Sequence, residues 1–306
     1  MAGLSRHHLV FTYILLVMIW ATTPLAIVWS VSDLNIFWAL IFRFLLALPS
    51  AFLILKVLKI EFPFTAQAMH SYVAGAFSLI GSQFFTYLAT QYLNSGMIAL
   101  MFGLSPIIAG LIGWGLFNQR LQLIQWCGMF VALAGLAMIC LSRNQQHIHP
   151  LGILIMLVSV FNYALSIFWV KKINAPLKPM AQATGSILVS TLFALLIIPF
   201  IWSSFPHHFP SIKSILSIIY TVVMASLLAM FCYFKLVQNI QPTTLSLTNV
   251  MTPLLALIVG ALLNHEMLTL QVFVGASILM MGLLLYFYRD LTLHQQWRKR
   301  FNKQSF

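Results

Sequence analysis

The stretch "LSPIIAGLIGWGLFNQRL", residues 104–121, has the pattern of an apolar helix with a proline near its start and polar residues at its end. A similar stretch, "MTPLLALIVGALLNHEML", residues 251–268, follows 147 positions later. Identities in this register include Pro106 with Pro253, Ala109 with Ala256, Gly113 with Gly260, Gly128 with Gly275 and Gly135 with Gly282. Leucine matches are common in apolar sequence, whereas one proline and three glycines in register indicate an internal repeat.

The composition excludes an ordinary soluble protein. Of 306 residues, 61% are hydrophobic and only 7% are charged, whereas soluble domains carry about 25% charged residues. The surface must therefore face lipid. The net charge of +12 would indicate nucleic-acid binding in a soluble protein. Here the basic residues lie between and beyond apolar runs, so they indicate membrane orientation and no nucleic-acid partner.

Ten apolar runs are long enough to cross a bilayer, since a span needs about 20 apolar residues. The first run follows Arg6, His7 and His8, as in a signal peptide, but it is too long and lacks a convincing cleavage site, so we expect it to be retained. The predicted spans are 9–30, 35–56, 70–91, 95–117, 122–142, 150–170, 181–202, 213–236, 243–264 and 268–288.

The basic residues predict the orientation of these spans. Thirteen lysines and arginines lie on the side of the N-terminus, whereas only Arg143 and Lys213 lie on the opposite side. Basic loops favour the cytoplasm. The bias therefore predicts that both termini lie in the cytoplasm, and the even number of spans agrees with it. We expect a multi-pass protein of the bacterial inner membrane.

Spans 1–5 match spans 6–10, and because five is odd the two halves cross the membrane in opposite directions. We expect a cytoplasmic N-terminus at 1–8, a first five-helix repeat at 9–144, a second at 145–289 and a basic cytoplasmic tail at 290–306. The predicted fold is thus an all-α integral membrane protein with ten transmembrane helices in two inverted repeats. Inverted repeats recur in secondary transporters, whose substrate site lies near mid-membrane between the halves.

Several short motifs lie at corresponding places along this plan. They are Trp20-Ala21 in span 1, Arg43-Phe44 in span 2, Pro106 and Pro253 near the starts of spans 4 and 9, and Glu266 after span 9. With ten spans and the repeat, they resemble the drug/metabolite transporter superfamily, specifically its EamA-type branch, over residues 9–289. The resemblance implies two EamA-like repeats and metabolite export. The Gly-Glu pair of the family is absent, since Asn118-Gln119 and His265-Glu266 stand in its two places.

Arg43 is the only full charge deep within a predicted span. A mid-membrane arginine costs about 2.5–3.5 kcal/mol on insertion scales, so it should face the bundle interior or water. No span offers an acid at comparable depth. Its partners should be carbonyls, hydroxyls, water or a ligand carboxylate. Either Arg43 ties helices together, or it attracts an anion into a cavity.

Span 3 carries two polar rows, each with side chains four residues apart and therefore on one helix face. Both interhelical hydrogen bonding and a wet cavity would explain these rows. In span 9, Asn249 lies one turn before Pro253, where the proline frees a backbone carbonyl. The rows are Gln83, Tyr87 and Gln91, and Ser82, Thr86 and Thr90.

The candidate site collects polar and aromatic residues from these spans, although the aromatic ones would equally suit packing. We expect Pro106 and Pro253 to act as hinges. The predicted substrate-binding residues are Trp20, Thr23, Arg43, Gln83, Tyr87, Asn162, Trp169, Tyr233 and Asn249.

No metal or other cofactor is expected. The histidines, such as His147 with His149 and His207 with His208, lie in loops with too few further ligands for a metal. Glu266 lies just ahead of span 10, where a negative charge complements a helix N-terminus, so we interpret it as structural.

The sequence therefore favours a secondary transporter, an exporter of small polar metabolites such as amino acids or related compounds, working by alternating access. Its partners would be a small polar organic substrate and the lipid bilayer. Facilitated diffusion, exchange, and proton coupling through Glu266 or a histidine all stay open, as do the monomer and the homodimer. The alternative classes are an integral membrane enzyme acting on lipid-linked substrates, which normally needs clustered acids, histidines or a metal, and a channel.

Overall fold

The computed structural model describes residues 6–117, 120–140, 149–239, 248–266 and 268–302, and these residues form helices and connecting turns without a β-strand. The Asn118-Gln119 pair, His147, the repeat boundary at 144–145 and the side chains of Asn249 and of the basic tail lie outside the described part. The helices are Arg6–Ser30 (α1), Ile36–Val57 (α2), Ala66–Ala76 (α3), Ser82–Ala89 (α4), Ser95–Gly103 (α5), Ser105–Phe117 (α6), Leu123–Cys140 (α7), Pro150–Ile173 (α8), Pro179–Ile201 (α9), Ile212–Tyr220 (α10), Ala229–Asn239 (α11), Thr248–Asn264 (α12) and Leu270–Asn302 (α13).

Within the described residues, seven helical segments are long and apolar enough to cross a membrane. Two shorter apolar segments, Leu123–Ile139 and Val250–Asn264, accompany them. The protein is therefore an all-helical, multi-pass membrane protein. The spanning segments are His7–Ser30, Ile36–Val57, Ser95–Gly115, Pro150–Ile173, Pro179–Ser204, Ile212–Tyr233 and Leu270–Tyr288.

Short polar side chains mark where several helices begin. Asn35 accepts a hydrogen bond from the Phe37 amide at the start of α2, and Asn94 accepts one from the Met97 amide at the start of α5. Ser211 does the same for the Ser214 amide at the start of α10. Each cap satisfies a backbone donor that the first helical turn leaves free. The polar residues between apolar runs thus decide the helix starts.

Two helical runs are interrupted by π-helix, in which the backbone bonds run from i to i+5. The segments are Phe77–Gly81, between α3 and α4, and Thr221–Leu228, between α10 and α11. In the 147-residue register, 77–81 corresponds to 224–228, so the interruptions occupy equivalent places. π-Bulges in α-helices are frequent at functional sites.

The two repeat prolines differ in their effect. Pro106 is the second residue of α6, and α5 ends at Gly103, so the helical run is broken at Leu104. The Ile107 and Ile108 amides both donate to the Leu104 carbonyl across this break. Pro253 lies inside α12, which continues through it. Only the first proline therefore coincides with a break between described helices.

Helices α7 and α13 pack antiparallel with their backbones in close contact. A Cβ added to Gly128 would lie 2.6 Å from the Tyr286 nitrogen and 2.7 Å from the Gly282 oxygen. At Gly135 it would lie 2.6 Å from the Gly275 oxygen. Small residues permit such close approach of helices in membranes. Four glycines of the repeat register, Gly128, Gly135, Gly275 and Gly282, therefore form one helix–helix interface.

One polar row of span 3 is a packing seam. The Ser82 and Thr86 hydroxyls lie 3.0 and 2.8 Å from the Ser159 hydroxyl of α8, and all three residues are buried. About two turns further along α8, the Ser166 hydroxyl donates to the Ala74 carbonyl at 2.7 Å. This row ties α3 and α4 to α8, as interhelical hydrogen bonding predicts.

Candidate substrate site

Arg43 lies in α2 with only 6% of its surface exposed. Its Nη1 donates to the Gln83 Oε1 at 2.9 Å, and its Nη2 donates to the Ser226 hydroxyl at 3.4 Å. The Nε has no hydrogen-bond partner among the described residues. A buried charge is costly unless paired, and both partners here are neutral. The guanidinium is thus incompletely neutralised in the interior of the bundle.

The two π-helical segments position the partners of Arg43. Gln83 follows Phe77–Gly81 by two residues, and Ser226 lies within Thr221–Leu228. The Ser226 hydroxyl donates to the Thr221 carbonyl five residues earlier at 2.9 Å, so its lone pairs are free to accept from Arg43. Both interruptions of regular helix therefore converge on the arginine.

Two further polar atoms among the described residues are buried and unpaired. Tyr87 is fully buried in the cluster that contains Ile41 and Phe44 of α2. Its hydroxyl, like the Thr252 hydroxyl of α12, has no partner among the described residues. Leaving such a group unsatisfied costs about 1–3 kcal/mol, so each calls for an explanation. Tyr87 belongs to the second polar row of span 3, which therefore faces the arginine helix.

Aromatic rings also pair between helices. Trp20 of α1 and Tyr233 of α11 have ring centroids 5.6 Å apart, and Phe102 of α5 and Tyr163 of α8 have centroids 6.1 Å apart. The structure thus brings together two predicted site residues, Trp20 and Tyr233.

The other predicted residues use their polar atoms within their own helices or lie apart. Thr23 donates to the Ile19 carbonyl at 2.6 Å, and Asn162 donates to the Val158 carbonyl at 2.9 Å. Trp169 is 39% exposed and packs 5.2 Å from Phe77, with Lys172 beside it in a surface groove. Trp169 therefore lies apart from the Arg43 group.

Sequence reasoning missed Ser226. Its signal was weak, since it is a lone hydroxyl in the apolar stretch "VVMASLLAMF", residues 222–231. It also missed both π-helical segments, because a π-bulge leaves the apolar composition of a span unchanged.

A second polar group, which we call the helix-end network, joins one end of α1, α5, α10 and α12. Glu266 accepts from the Ser95 and Gly96 amides, each at 3.0 Å, and from the Ser95 hydroxyl at 2.6 Å. We expected the charge of Glu266 to complement the N-terminus of the helix that follows it, span 10. The structure shows instead that Glu266 caps the N-terminus of α5. The cause is packing: α12 ends beside the start of α5, so the carboxylate reaches across.

The helix-end network continues from Glu266 to α1 and α10. Asn264 donates to Glu266 at 3.1 Å and accepts from the Trp29 indole at 2.8 Å. Beyond Trp29, Asp33 accepts from the Ser211 amide and the Ser214 hydroxyl at the start of α10. The Ser214 hydrogen bond, followed by those of Ser211, holds the pKa of Asp33 below its ordinary value, although burial opposes this. Two carboxylates thus cap two helices at one end of the bundle.

Comparison with known proteins gives one family. The profile of the EamA-like transporter family matches residues 9–141 and again residues 150–288. One solved crystal structure superposes with a TM-score of 0.64, covering 92% of this chain and 96% of that chain at 14% identity. At this identity the likeness shows the fold alone.

Several relatives with assigned names are similar in sequence. The uncharacterized transporter YvbV of Bacillus subtilis is 23% identical over 64% of this chain and 64% of its own length. The uncharacterized inner membrane transporter YedA of Escherichia coli is 24% identical over 62% and 61%. A probable amino-acid metabolite efflux pump of Salmonella typhimurium is 26% identical over 65% and 70%. The chain thus spans a little under two thirds of the length of the first two relatives.

Proposed function

Because the chain belongs to the EamA-like transporter family, we propose that it is a secondary transporter that exports small polar metabolites, such as amino acids or related compounds. The observation that carries the proposal is the group of Arg43, Gln83 and Ser226, a buried hydrogen-bonding site that joins α2, α4 and the π-helical segment Thr221–Leu228. The similarity to a probable amino-acid metabolite efflux pump supports the substrate class. The names of the relatives describe transporters rather than enzymes, and no specific observation favours the enzyme alternative.

We propose ten spans in two inverted repeats, 9–144 and 145–289. The family profile supports this, since it matches one stretch in each half. The packing supports it too: α1 packs on α10 and α11, and their counterparts α8 and α3–α4 also pack together. The close approach of Gly128 to Gly282 likewise has its counterpart in that of Gly275 to Gly135. A two-fold exchange of the halves therefore maps these contacts onto one another.

The proposed substrate site lies between the halves. Arg43 and Gln83 come from the first half, and Ser226 comes from the second. Trp20 and Tyr233 also pair across the halves. A site shared in this way changes its access when the halves change their relative position. The remaining predicted residues, Thr23, Tyr87, Asn162, Trp169 and Asn249, would line the path or contact substrate when the halves rearrange.

Alternating access requires contacts that form at one end of the site and break when that end opens. The helix-end network joins α1 and α5 of the first half to α10 and α12 of the second. We propose that it closes the outer end, and that Pro106 and Pro253 act as hinges. With the thirteen-to-two basic bias, this end faces away from the cytoplasm in a bacterial inner membrane.

Counterflow in proteoliposomes tests the proposal. Vesicles loaded with one amino acid should accumulate labelled amino acid from outside, saturably and without ATP. Gln83→Ala and Tyr87→Ala should change the apparent affinity or selectivity, whereas Leu46→Ala, at a lipid-exposed position of α2, should not. Absence of carrier-dependent flux for every small polar metabolite tested would refute the proposed transport function. Wild-type affinity and selectivity in both site variants would show that the substrate binds elsewhere in the protein.

A further inference from the structure

We propose that Arg43 binds a carboxylate of the substrate, so that the transported metabolites are monocarboxylic acids or zwitterions rather than neutral or cationic compounds. This inference rests on the proposed function and names its substrate class. It follows from the hydrogen-bond donors, the charge and the neighbours of Arg43.

The guanidinium has donors to spare. It carries five N–H groups, and the described residues accept only two hydrogen bonds from it, at 2.9 and 3.4 Å. On one edge of the guanidinium, the Nε has no partner and the Nη2 makes only the 3.4 Å hydrogen bond to the Ser226 hydroxyl. Two parallel N–H groups on one edge match the two oxygens of a carboxylate, which is the strongest arrangement arginine makes. The available edge therefore suits a bidentate acid.

Among the side chains that the structure describes, no carboxylate pairs with this positive charge. Asp33 and Glu266 are engaged in the helix-end network, and Glu61 lies beyond the end of α2. Arg43 itself is 6% exposed, so water screens it little. A buried ion without a counter-charge is strongly destabilising, and an anionic ligand would recover part of that cost. A cationic ligand would add to it.

The neighbours of Arg43 favour one negative charge rather than two. Gln83 and Ser226, which accept from Arg43, are neutral, and so is Tyr87, which lies one turn after Gln83 and has an unpaired hydroxyl. One arginine among neutral groups balances a single carboxylate, whereas a phosphate dianion would remain half-neutralised. The neutral groups remain available to an amino or hydroxyl group on the same ligand. This pattern describes an α-amino or α-hydroxy acid.

The test compares acids with their amides, because the two differ in charge at nearly the same size. The thermal stability of the purified protein would be measured with L-phenylalanine and L-phenylalaninamide, 3-phenylpropionate and 3-phenylpropionamide, and inorganic phosphate. A ligand that binds the folded form raises the apparent melting temperature. We expect at least one acid to stabilise the wild type, and its amide and phosphate not to do so.

Variants then assign the effect to Arg43. Arg43→Gln should weaken acid binding at least tenfold, equivalent to about 1.4 kcal/mol, and Arg43→Lys should bind with intermediate affinity, since it keeps the charge but loses the planar fork. Lys56→Gln, which removes an exposed charge from the same helix, should bind like the wild type. If Arg43→Gln does not fold, the wild-type comparison and Arg43→Lys still decide.

Each other outcome overturns the inference. These are equal stabilisation by amides, stabilisation by phosphate, no stabilisation by any acid, wild-type acid affinity in Arg43→Gln, or wild-type acid affinity in Arg43→Lys where Arg43→Gln does not fold. Counterflow separates this failure from failure of the proposed function. Saturable flux of neutral metabolites that does not depend on Arg43 would keep the transporter and reject the carboxylate site. Acid binding at Arg43 without any flux would keep the site and reject the transporter.

Discussion

Gly128→Ala should destabilise the protein because it forces α7 and α13 apart. The new methyl group would meet the Tyr286 nitrogen at 2.6 Å and the Gly282 oxygen at 2.7 Å, whereas ordinary contacts begin at 3.4 Å. Both atoms are backbone, so no side chain can rotate away. The helices must separate by roughly 0.7–0.8 Å along this interface, and a gap of 0.5–1 Å forfeits a quarter to a half of a dispersion contact.

The matched control is Gly115→Ala in α6, where an added Cβ meets nothing within 4 Å. Both substitutions gain about 0.5–1 kcal/mol from the lower backbone entropy of alanine in a helix. Only Gly128→Ala incurs the overpacking cost of about 1–3 kcal/mol. Because the entropic gain is shared, the difference between the two variants measures the packing cost itself.

The assay is heating of purified protein in detergent, followed by the fraction that remains monodisperse on gel filtration. Each kcal/mol corresponds to about 2–4 °C in a domain of 150–250 residues. We therefore expect the apparent melting temperature of Gly128→Ala to lie several degrees below that of Gly115→Ala. Equal thermal stability of the two variants would refute the close approach of α7 and α13.

Three further predictions concern the two ends of the bundle. Glu266→Gln should lower the thermal stability and favour opening at the helix-end network, because a neutral amide caps the start of α5 more weakly than a carboxylate. The accessibility of a cysteine placed at Ser95 would measure the opening. Asp33→Asn should lower stability by the same amount throughout about pH 5–8. The pKa of Asp33 is lower in the folded protein than the value of about 3.9 in the unfolded chain. The carboxylate therefore stabilises the fold above the unfolded pKa, and this contribution is lost only as the pH falls through the lower, folded pKa. The loop 171–178 should be labelled from the cytoplasmic side only.

The contradicting outcomes are equally specific. Unchanged cysteine labelling in Glu266→Gln would show that the network does not close the site. A stability gap for Asp33→Asn that changes between pH 6 and 8 would require another titrating group. Strong labelling of Lys171 or Lys178 from outside intact cells would reverse the proposed orientation.

The sequence by itself determined the parts of this protein that depend on composition. A span is set by the transfer of some 20 side chains into lipid, which adds residue by residue, so apolar runs predict spanning helices without reference to neighbours. The described residues contain seven helical segments that are long and apolar enough to cross a membrane. The register of Gly128 with Gly275 indicated the internal repeat in the same way, because it requires only a comparison of two stretches of sequence. Arg43 stood out for the same reason, because a charge in lipid is expensive wherever it lies.

Tertiary structure alone decided which polar side chains meet. The two rows of span 3 are alike in sequence, yet Ser82 and Thr86 bond to Ser159, whereas Gln83 bonds to Arg43. Glu266 caps α5, which begins 171 residues earlier in the chain, and Ser226 reaches the arginine from a π-helical turn. Hydrogen bonds are short and directional, so their partners depend on the rotation and crossing of helices distant in sequence. Hydropathy, which is summed along one helix, carries no information about that rotation.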